Sequence, residues 1–195
     1  MTVAAVRAIG NRVPVPTVPA HLSLEVLGDP VFSIVAYGAP APQGSKDAKI
    51  IYAGGKPRVQ MYEAHAGVKG WRAAVLTVAM AARPRQWEVL DGPLVADMVF
   101  TLPKPKDRPK TLRVLPHALP DLDKLARCTG DALGEDAKQF GRPLIADDAR
   151  IVAYRRLDKV YEGDPFDADA LRRPGAVIRL WRYPEQYLGR MEALA

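Results

Sequence analysis

The pattern of apolar and polar residues divides the chain into short elements. Alternating or continuous apolar runs predict four strands, at 31–37, 93–102, 150–157 and 176–181. Residues 49–52 and 57–62 flank an Ala-Gly-Gly-Lys turn and predict a hairpin. Apolar residues at helical spacing predict a helix over 68–82, in which Trp71 is more typical of a core residue than of a base-stacking one. This order predicts an α/β (α+β) single domain, with a small mixed sheet flanked by helices.

A second helix is predicted between Pro120 and Gly134, where apolar or small residues recur on one face from Leu122 to Leu133. Gly134 follows as a stop signal, and Asp123 is a candidate N-cap. Asp121 and Asp123 then lie at the positive end of the helix dipole. If the chain is extended as it enters the helix, both carboxylates face one pocket while Leu122 points to the core.

Another acidic pair, Asp147 and Asp148, precedes the strand predicted from Arg150. A tight turn into a strand is a suitable way to bring a further carboxylate to the same pocket. Magnesium prefers hard oxygen ligands, and two ions about 3.5–4 Å apart can activate a water and stabilise a leaving oxygen. Either pair alone is equally typical of a helix cap or a turn. Two pairs that bracket one helix favour a metal site.

Composition narrows the class of protein. The 195 residues fit one domain, and a hydrophobic fraction of 48% is sufficient for a core. The net charge of +6 favours a polyanionic partner without identifying it. The single cysteine, Cys128, is more typical of packing than of catalysis, and it predicts a reducing, intracellular compartment. Residues 1–10 show no signal-peptide pattern, which predicts a cytoplasmic location. The longest apolar run, 73–82, is too short to cross a membrane.

Basic residues cluster in two predicted loops, one after the first strand and one just before the first acidic pair. A cationic loop beside an acidic metal pocket would help to hold a phosphate backbone. A solvated loop is the commoner explanation for any single lysine. The candidate DNA-binding residues are Lys46, Lys104, Lys106, Arg108 and Lys110.

The two ends of the chain differ from its middle. Residues 1–29 contain scattered prolines and no sustained period, which predicts a flexible leader with at most a short strand near 22–27. A domain is predicted over 30–183, followed by a short C-terminal helix or tail at 184–195. Three aspartates lack EF-hand spacing and are assigned to a surface loop: Asp164, Asp167 and Asp169.

Three linked motifs resemble those of the RusA family of Holliday-junction resolvases: PDLDKL at 120–125, DAL at 131–133 and ADDARIV at 146–152. The segment PAPQGSK at 40–46 resembles the first-strand loop of phage-type members. The resemblance spans roughly residues 31–183. It implies a RusA-like fold and a homodimer that cuts four-way DNA junctions by paired symmetric nicks. It also implies Mg²⁺ as the cofactor, with Mn²⁺ as an alternative.

The resemblance assigns roles to the acidic residues. It implies that Asp121, Asp123 and Asp148 are the catalytic carboxylates that bind metal, with Asp147 beside them. Metal-activated water would then attack the phosphodiester.

The sequence departs from the family pattern in three ways. The usual asparagine after the second aspartate is Lys124, the usual catalytic lysine is Arg127, and residues 135–143 lengthen the link to the second acidic pair. An arginine keeps a positive charge near the phosphate but cannot donate a proton as lysine does. The cationic catalytic role therefore falls to Arg127 or Lys124. Otherwise Arg127 pairs on the helix surface with Asp123 or Asp131.

Two other classes of function fit parts of the same pattern. One is a non-catalytic protein that binds branched DNA and uses its acidic residues structurally. The other is a different Mg²⁺ enzyme with a D-x-D motif, such as a nucleotide-sugar transferase or an aspartyl phosphatase. The phosphatase motif directly follows an apolar strand, whereas His117-Ala-Leu-Pro precedes it here.

Overall fold

The structure is a computed structural model that describes residues 22–44, 46–63, 67–109, 111–141 and 143–188. Side chains are described throughout these ranges except at 46–49, 53 and 60–63. The helices are α1 (Leu24–Leu27), α2 (Val68–Ala82), α3 (Leu122–Leu133) and α4 (Glu135–Lys138). The strands are β1 (Phe32–Tyr37), β2 (Lys46–Ala53), β3 (Lys56–Glu63), β4 (Leu94–Leu102), β5 (Ile151–Tyr161) and β6 (Gly175–Arg182).

Most predicted elements are confirmed. The four strands, the hairpin and both long helices form where the apolar pattern placed them, although β5 runs further than expected. The short strand expected near 22–27 is wrong, because a single helical turn lies there. Leu22 is buried against Val95 and Trp181, and the Trp181 indole N–H donates to the Gly28 carbonyl at 3.0 Å. The described part of the predicted leader therefore packs on the sheet.

One four-stranded sheet has the order β1-β6-β4-β5. β4 pairs antiparallel with β6 and parallel with β5, while β1 pairs antiparallel with β6. All nine residues of β4 are buried, which explains its nearly continuous apolar sequence. The predicted mixed sheet with flanking helices is confirmed. Residues 1–21 and 189–195 lie outside the described residues, and Glu185–Tyr187 forms one 3₁₀ turn.

The main core lies between one face of this sheet and the helices α2 and α3. Trp71 is 1% exposed, packs edge-on against Phe100, and donates its indole N–H to the Thr129 hydroxyl at 3.0 Å. Trp71 is therefore a core residue that joins the two helices, as its position in the sequence predicted. Cys128 is fully buried in the same core. Over the described residues, no helix is long and apolar enough to cross a membrane.

The opposite face of the sheet carries ion pairs. Asp97 of β4 is fully buried and accepts hydrogen bonds from the guanidinium of Arg155. Asp169 accepts from Arg156 at 3.0 Å and from Arg179 at 2.6 and 2.9 Å. These contacts neutralise carboxylates that burial would otherwise destabilise. They also attach the loop after β5 to the sheet, so its aspartates are paired with arginines rather than simply solvated.

We predict that Asp169→Asn destabilises the protein by about 2 kcal/mol at neutral pH, because charged hydrogen bonds are lost. Hydrogen bonds from Arg179, followed by the nearby positive charges, lower the pKa of Asp169. A lowered pKa contributes stability above the ordinary aspartate value, and that stability is lost as pH falls through the folded-state value. Urea unfolding across acid pH should show the two proteins converging. Asp107→Asn, at an exposed position, is the control; equal effects of both variants would contradict the prediction.

Candidate active site

The first acidic pair lies at the start of α3. Asp121 is the N-cap residue, and its backbone carbonyl accepts from the Leu125 N–H at 3.1 Å. Its side chain makes no capping hydrogen bond and instead pairs with the Lys124 ammonium at 2.9 Å. Asp123 is exposed within the first helical turn, so the predicted N-cap role of Asp123 is wrong. The two carboxylates are therefore not related by the alternation expected of extended chain.

Two contacts outside the helix fix its start. The Lys159 ammonium donates to the backbone carbonyls of Ala118 and Pro120, both at 2.8 Å. The Gln43 N–H donates to the Lys124 carbonyl at 3.1 Å. Sequence reasoning missed Lys159. The alternation of the strand could have indicated it, because Lys159 follows Leu157 by two residues and therefore shares the face of β5 that points toward the helices.

The second acidic pair is held by the chain that precedes it. Leu90 donates its N–H to the Leu144 carbonyl at 3.1 Å and accepts from the Ala146 N–H at 2.9 Å. Asp147 then accepts from the Ala149 N–H at 3.1 Å and caps a 3₁₀ turn over Asp148–Arg150 that leads into β5. The predicted turn from an acidic pair into a strand is confirmed.

Asp148 packs directly against α3 at a glycine. A Cβ atom placed on Gly130 would lie 3.0 Å from the Asp148 Cβ, so only a residue without a side chain fits there comfortably. Asp123, Arg127 and Gly130 are spaced four and three residues apart and share one helix face. Asp148 therefore lies over the face that carries Asp123 and Arg127. The seven residues from Asp123 to Gly130 correspond to about 10 Å along the helix axis.

The pKa values of the two carboxylates in the second pair are shifted in opposite directions. Burial, a hydrogen bond to Asp147 and the charges of Asp131 and Asp147 all raise the pKa of Asp148. The Ala149 N–H is the largest of the effects that lower the pKa of Asp147. Burial and the charge of Asp148 also raise the pKa of Tyr154. A cation bound at this pair would relieve the repulsion.

The carboxylates are suitable in chemistry for a hard divalent cation. Among the described residues, however, no three Asp, Glu, His or Cys side chains lie close enough together to hold one metal ion. Asp147 and Asp148 are adjacent, whereas Asp121 is turned toward Lys124. The convergence of both pairs on one metal site therefore stays a prediction.

A comparison with protein families bears on this arrangement. The family model described as Endodeoxyribonuclease RusA matches residues 39–166, which include both acidic pairs and α3. The chain belongs to the RusA family of endodeoxyribonucleases. It is an endodeoxyribonuclease, and the family implies Holliday junction endonuclease activity, binding of branched DNA and the general use of divalent metal. No individual curated protein matches the chain.

Membership in the RusA family sets aside the transferase, phosphatase and non-catalytic alternatives. It also confirms the recognition made from the three linked motifs. The match begins after β1 and ends before β6, so it covers a shorter span than the resemblance suggested.

The cationic candidates of this RusA-family nuclease lie around the start of α3. The Asp121 carboxylate raises the pKa of Lys124, chiefly through their hydrogen bond. Arg127 is exposed, and Asp131 pairs with Arg72 at 3.4 Å rather than with Arg127. Among the predicted DNA-binding residues, Lys104 and Arg108 are half-buried and Lys106 is exposed in the loop after β4. The Lys46 side chain and the whole of Lys110 lie outside the described residues.

We predict that Asp148→Asn raises the thermal unfolding midpoint of the protein in EDTA at neutral pH. Because the folded-state pKa of Asp148 is raised, the folded chain is favoured by protonation and opposed by ionisation of this group. That contribution is fully present below the ordinary aspartate pKa of about 3.9 and is lost as pH rises through the raised value. The advantage of the variant should therefore shrink in acid. A lower midpoint than wild type at neutral pH would contradict this prediction.

We predict that Gly130→Ala slows DNA cleavage by about tenfold while the protein remains folded. The added methyl group must displace Asp148 by a few tenths of an ångström, and catalysis is sensitive to such shifts. Gly70→Ala in α2 is the matched control, because a Cβ there meets nothing within 4 Å. Both substitutions favour the helix by up to about 1 kcal/mol. Unchanged cleavage by both variants would show that the contact at Gly130 does not position Asp148.

Proposed function

We propose that this RusA-family enzyme is a Mg²⁺-dependent resolvase that cuts four-way DNA junctions by paired symmetric nicks. Asp121, Asp123 and Asp148 would hold the metal, with Asp147 adjacent. The observation that supports this most is the packing of Asp148 on Gly130, over the helix face that carries Asp123. One face of α3 thus relates the two acidic pairs, with Arg127 between them.

A bound Mg²⁺ ion would supply Lewis-acid catalysis, by lowering the pKa of a water and stabilising charge on the phosphodiester. The carboxylates of the chain must be ionised and accessible in order to bind this ion. The pKa of Asp148 is raised, so protonation competes with a cation for this carboxylate at a higher pH than for an ordinary aspartate, and its affinity for the cation falls in acid. Asp121 is held by Lys124, so a cation and the lysine compete for the same carboxylate.

The remaining positive groups act on the phosphate. Arg127 is exposed between the two pairs, where its guanidinium can bind phosphate oxygens and stabilise developing charge. It keeps its charge throughout, so it does not protonate the leaving 3′ oxygen. Lys124 is the nearby side chain that can donate a proton once Asp121 no longer holds it. The cationic role is thereby divided between the two residues that replace the family's asparagine and lysine.

Paired nicks on opposite strands require two active sites with two-fold symmetry, and a homodimer supplies both. We therefore propose that the active form is a homodimer bound to branched DNA. The reducing, intracellular setting predicted from the single cysteine agrees with a DNA substrate.

We predict that Asp123→Asn lowers the rate of junction cleavage by at least about a hundredfold, because a charged group that acts on the transition state is lost. Junction binding in EDTA should stay close to that of wild type. The measurement uses a labelled four-way junction and a linear duplex of the same sequence, each with Mg²⁺ and with EDTA. Symmetric nicks confined to the junction and to Mg²⁺ are expected.

Asp29→Asn is the matched control, since Asp29 is exposed on the segment that packs on the other side of the sheet. It should cut as wild type does. Loss of junction binding together with cleavage in a folded Asp123→Asn protein would contradict the proposed division of roles. Equal cutting of the linear duplex by wild type would leave a nuclease without junction selectivity.

A further inference from the structure

The β2–β3 hairpin presents an exposed apolar face. Ile50 pairs with Val59 and Tyr52 with Pro57 in the antiparallel register, so these four residues share one face. The side chains of Ile50, Tyr52 and Val59 are 66%, 77% and 68% exposed. The hairpin turn lies at Gly54-Gly55, both with positive φ. Exposed apolar groups grouped on one face of a projecting element mark an interaction surface more often than a solvated turn.

Cations lie on the other face of the same hairpin. Arg58 pairs across from Ile51, and Lys56 from Ala53, which places both opposite the apolar face. Both cations are exposed, and no acidic residue occurs between Ile50 and Val59. An apolar face backed by positive charge fits a ligand in which flat apolar groups are flanked by anions. Nucleic acid has this arrangement, with bases between phosphates.

The base of the hairpin is close to the first acidic pair. Pro42 and Gly44 line a cleft together with Asp121 and Lys124, and β2 begins two residues after Gly44. The Gln43 N–H ties this loop to the Lys124 carbonyl at 3.1 Å. Each strand of the hairpin has eight residues, a length of roughly 26 Å at about 3.3 Å per residue. A hairpin of that length is long enough to span a DNA duplex from the active site.

We propose that this hairpin recognises the branch point of the DNA substrate. The hairpin separates bases at the branch point from their stacked neighbours and places the Tyr52 ring, with Ile50 and Val59, against the freed base faces, while Lys56 and Arg58 bind the flanking phosphates. Bases inside a continuous duplex are already stacked and offer no such surface without an unstacking cost of a few kcal/mol. Selectivity for branched over linear DNA would follow. This inference rests on the proposed junction substrate, but it concerns binding and not cleavage.

The test compares Tyr52→Ser and Tyr52→Trp with Tyr37→Ser. Tyr37 is a matched control because it is 44% exposed on the sheet face away from α2 and α3. The probe is a four-way junction with 2-aminopurine beside the branch point, in EDTA, together with the matching linear duplex. Wild type should raise the 2-aminopurine fluorescence of the junction. Tyr52→Ser should lose that signal and bind the junction about tenfold more weakly, with duplex binding unchanged, since one base–ring stack is lost.

Tyr52→Trp keeps a ring and should restore both the signal and the affinity. The logarithm of the DNA-binding constant falls linearly with the logarithm of the salt concentration. Lys56→Gln and Arg58→Gln should each make that slope less steep by about 0.9, on junction and duplex alike. This difference separates the stacking residue from the phosphate-binding residues. It also guards against a general loss of folding, which would affect every readout together.

Each outcome decides the matter. Unchanged fluorescence and affinity in Tyr52→Ser, with wild type cutting junctions, would overturn the hairpin inference and leave the proposed function intact. A wild-type protein that unstacks the junction but never cuts it would overturn the proposed function alone. Light scattering would show whether Tyr52→Ser converts a dimer to a monomer. That result would assign the apolar face to contact with a second copy of the chain and would overturn the proposal that it binds DNA.

Discussion

The parallel pairing of β4 with β5 is the constraint on which the site depends. Two adjacent parallel strands cannot be joined by a tight turn, so the chain must cross the sheet between them, and α3 is that crossing. One acidic pair then falls where the chain enters the crossing helix and the other where it returns to β5. Asp148 reaches α3 because Gly130 leaves room for it. The relation between the pairs is thus a consequence of sheet topology.

Aspartate side chains on the two faces of the sheet have different charged neighbours and different pKa shifts. Asp97 and Asp169 are each bound by arginine side chains, and the lowered pKa of Asp169 means that the charge of Asp169 supports the fold. Asp148 lies among other acids and its pKa is raised, so its charge opposes the fold. Its neighbour Asp147 has Lys138 at 3.7 Å, and the Ala149 N–H, followed by the charges of Lys138 and Arg150, lowers the pKa of Asp147. A carboxylate held beside other carboxylates is the kind of position at which a bound cation would be stabilising, which agrees with the proposed metal site.

Local patterns predicted much of the fold, and long-range contacts account for what they missed. The apolar period placed α2 and α3 and the four sheet strands, because each of these buries one face or both. The predicted N-cap of α3, Asp123, was wrong by two residues, because Asp121 and Asp123 are both good capping residues and the sequence does not rank them. The arginine partners of Asp169 come from β5 and β6, and no local signal reveals them. The distance between the two acidic pairs along α3 is likewise not visible in the local sequence, because it is set by the point at which the chain returns to the sheet and begins β5.

The additional residues at 135–143 lengthen the connection between the acidic pairs without leaving the second pair unsupported. Part of this connection forms α4, and the Arg72 side chain of α2 binds Asp136 there and Asp131 on α3. The connection is fixed again where the Leu144 N–H donates to the Leu133 carbonyl at 3.1 Å. Both ends of the extra length are therefore attached to helices that pack on the sheet core. The longer connection places Lys138 beside Asp147 at 3.7 Å, and the contact between Asp148 and Gly130, on which the proposed metal site depends, is present together with it.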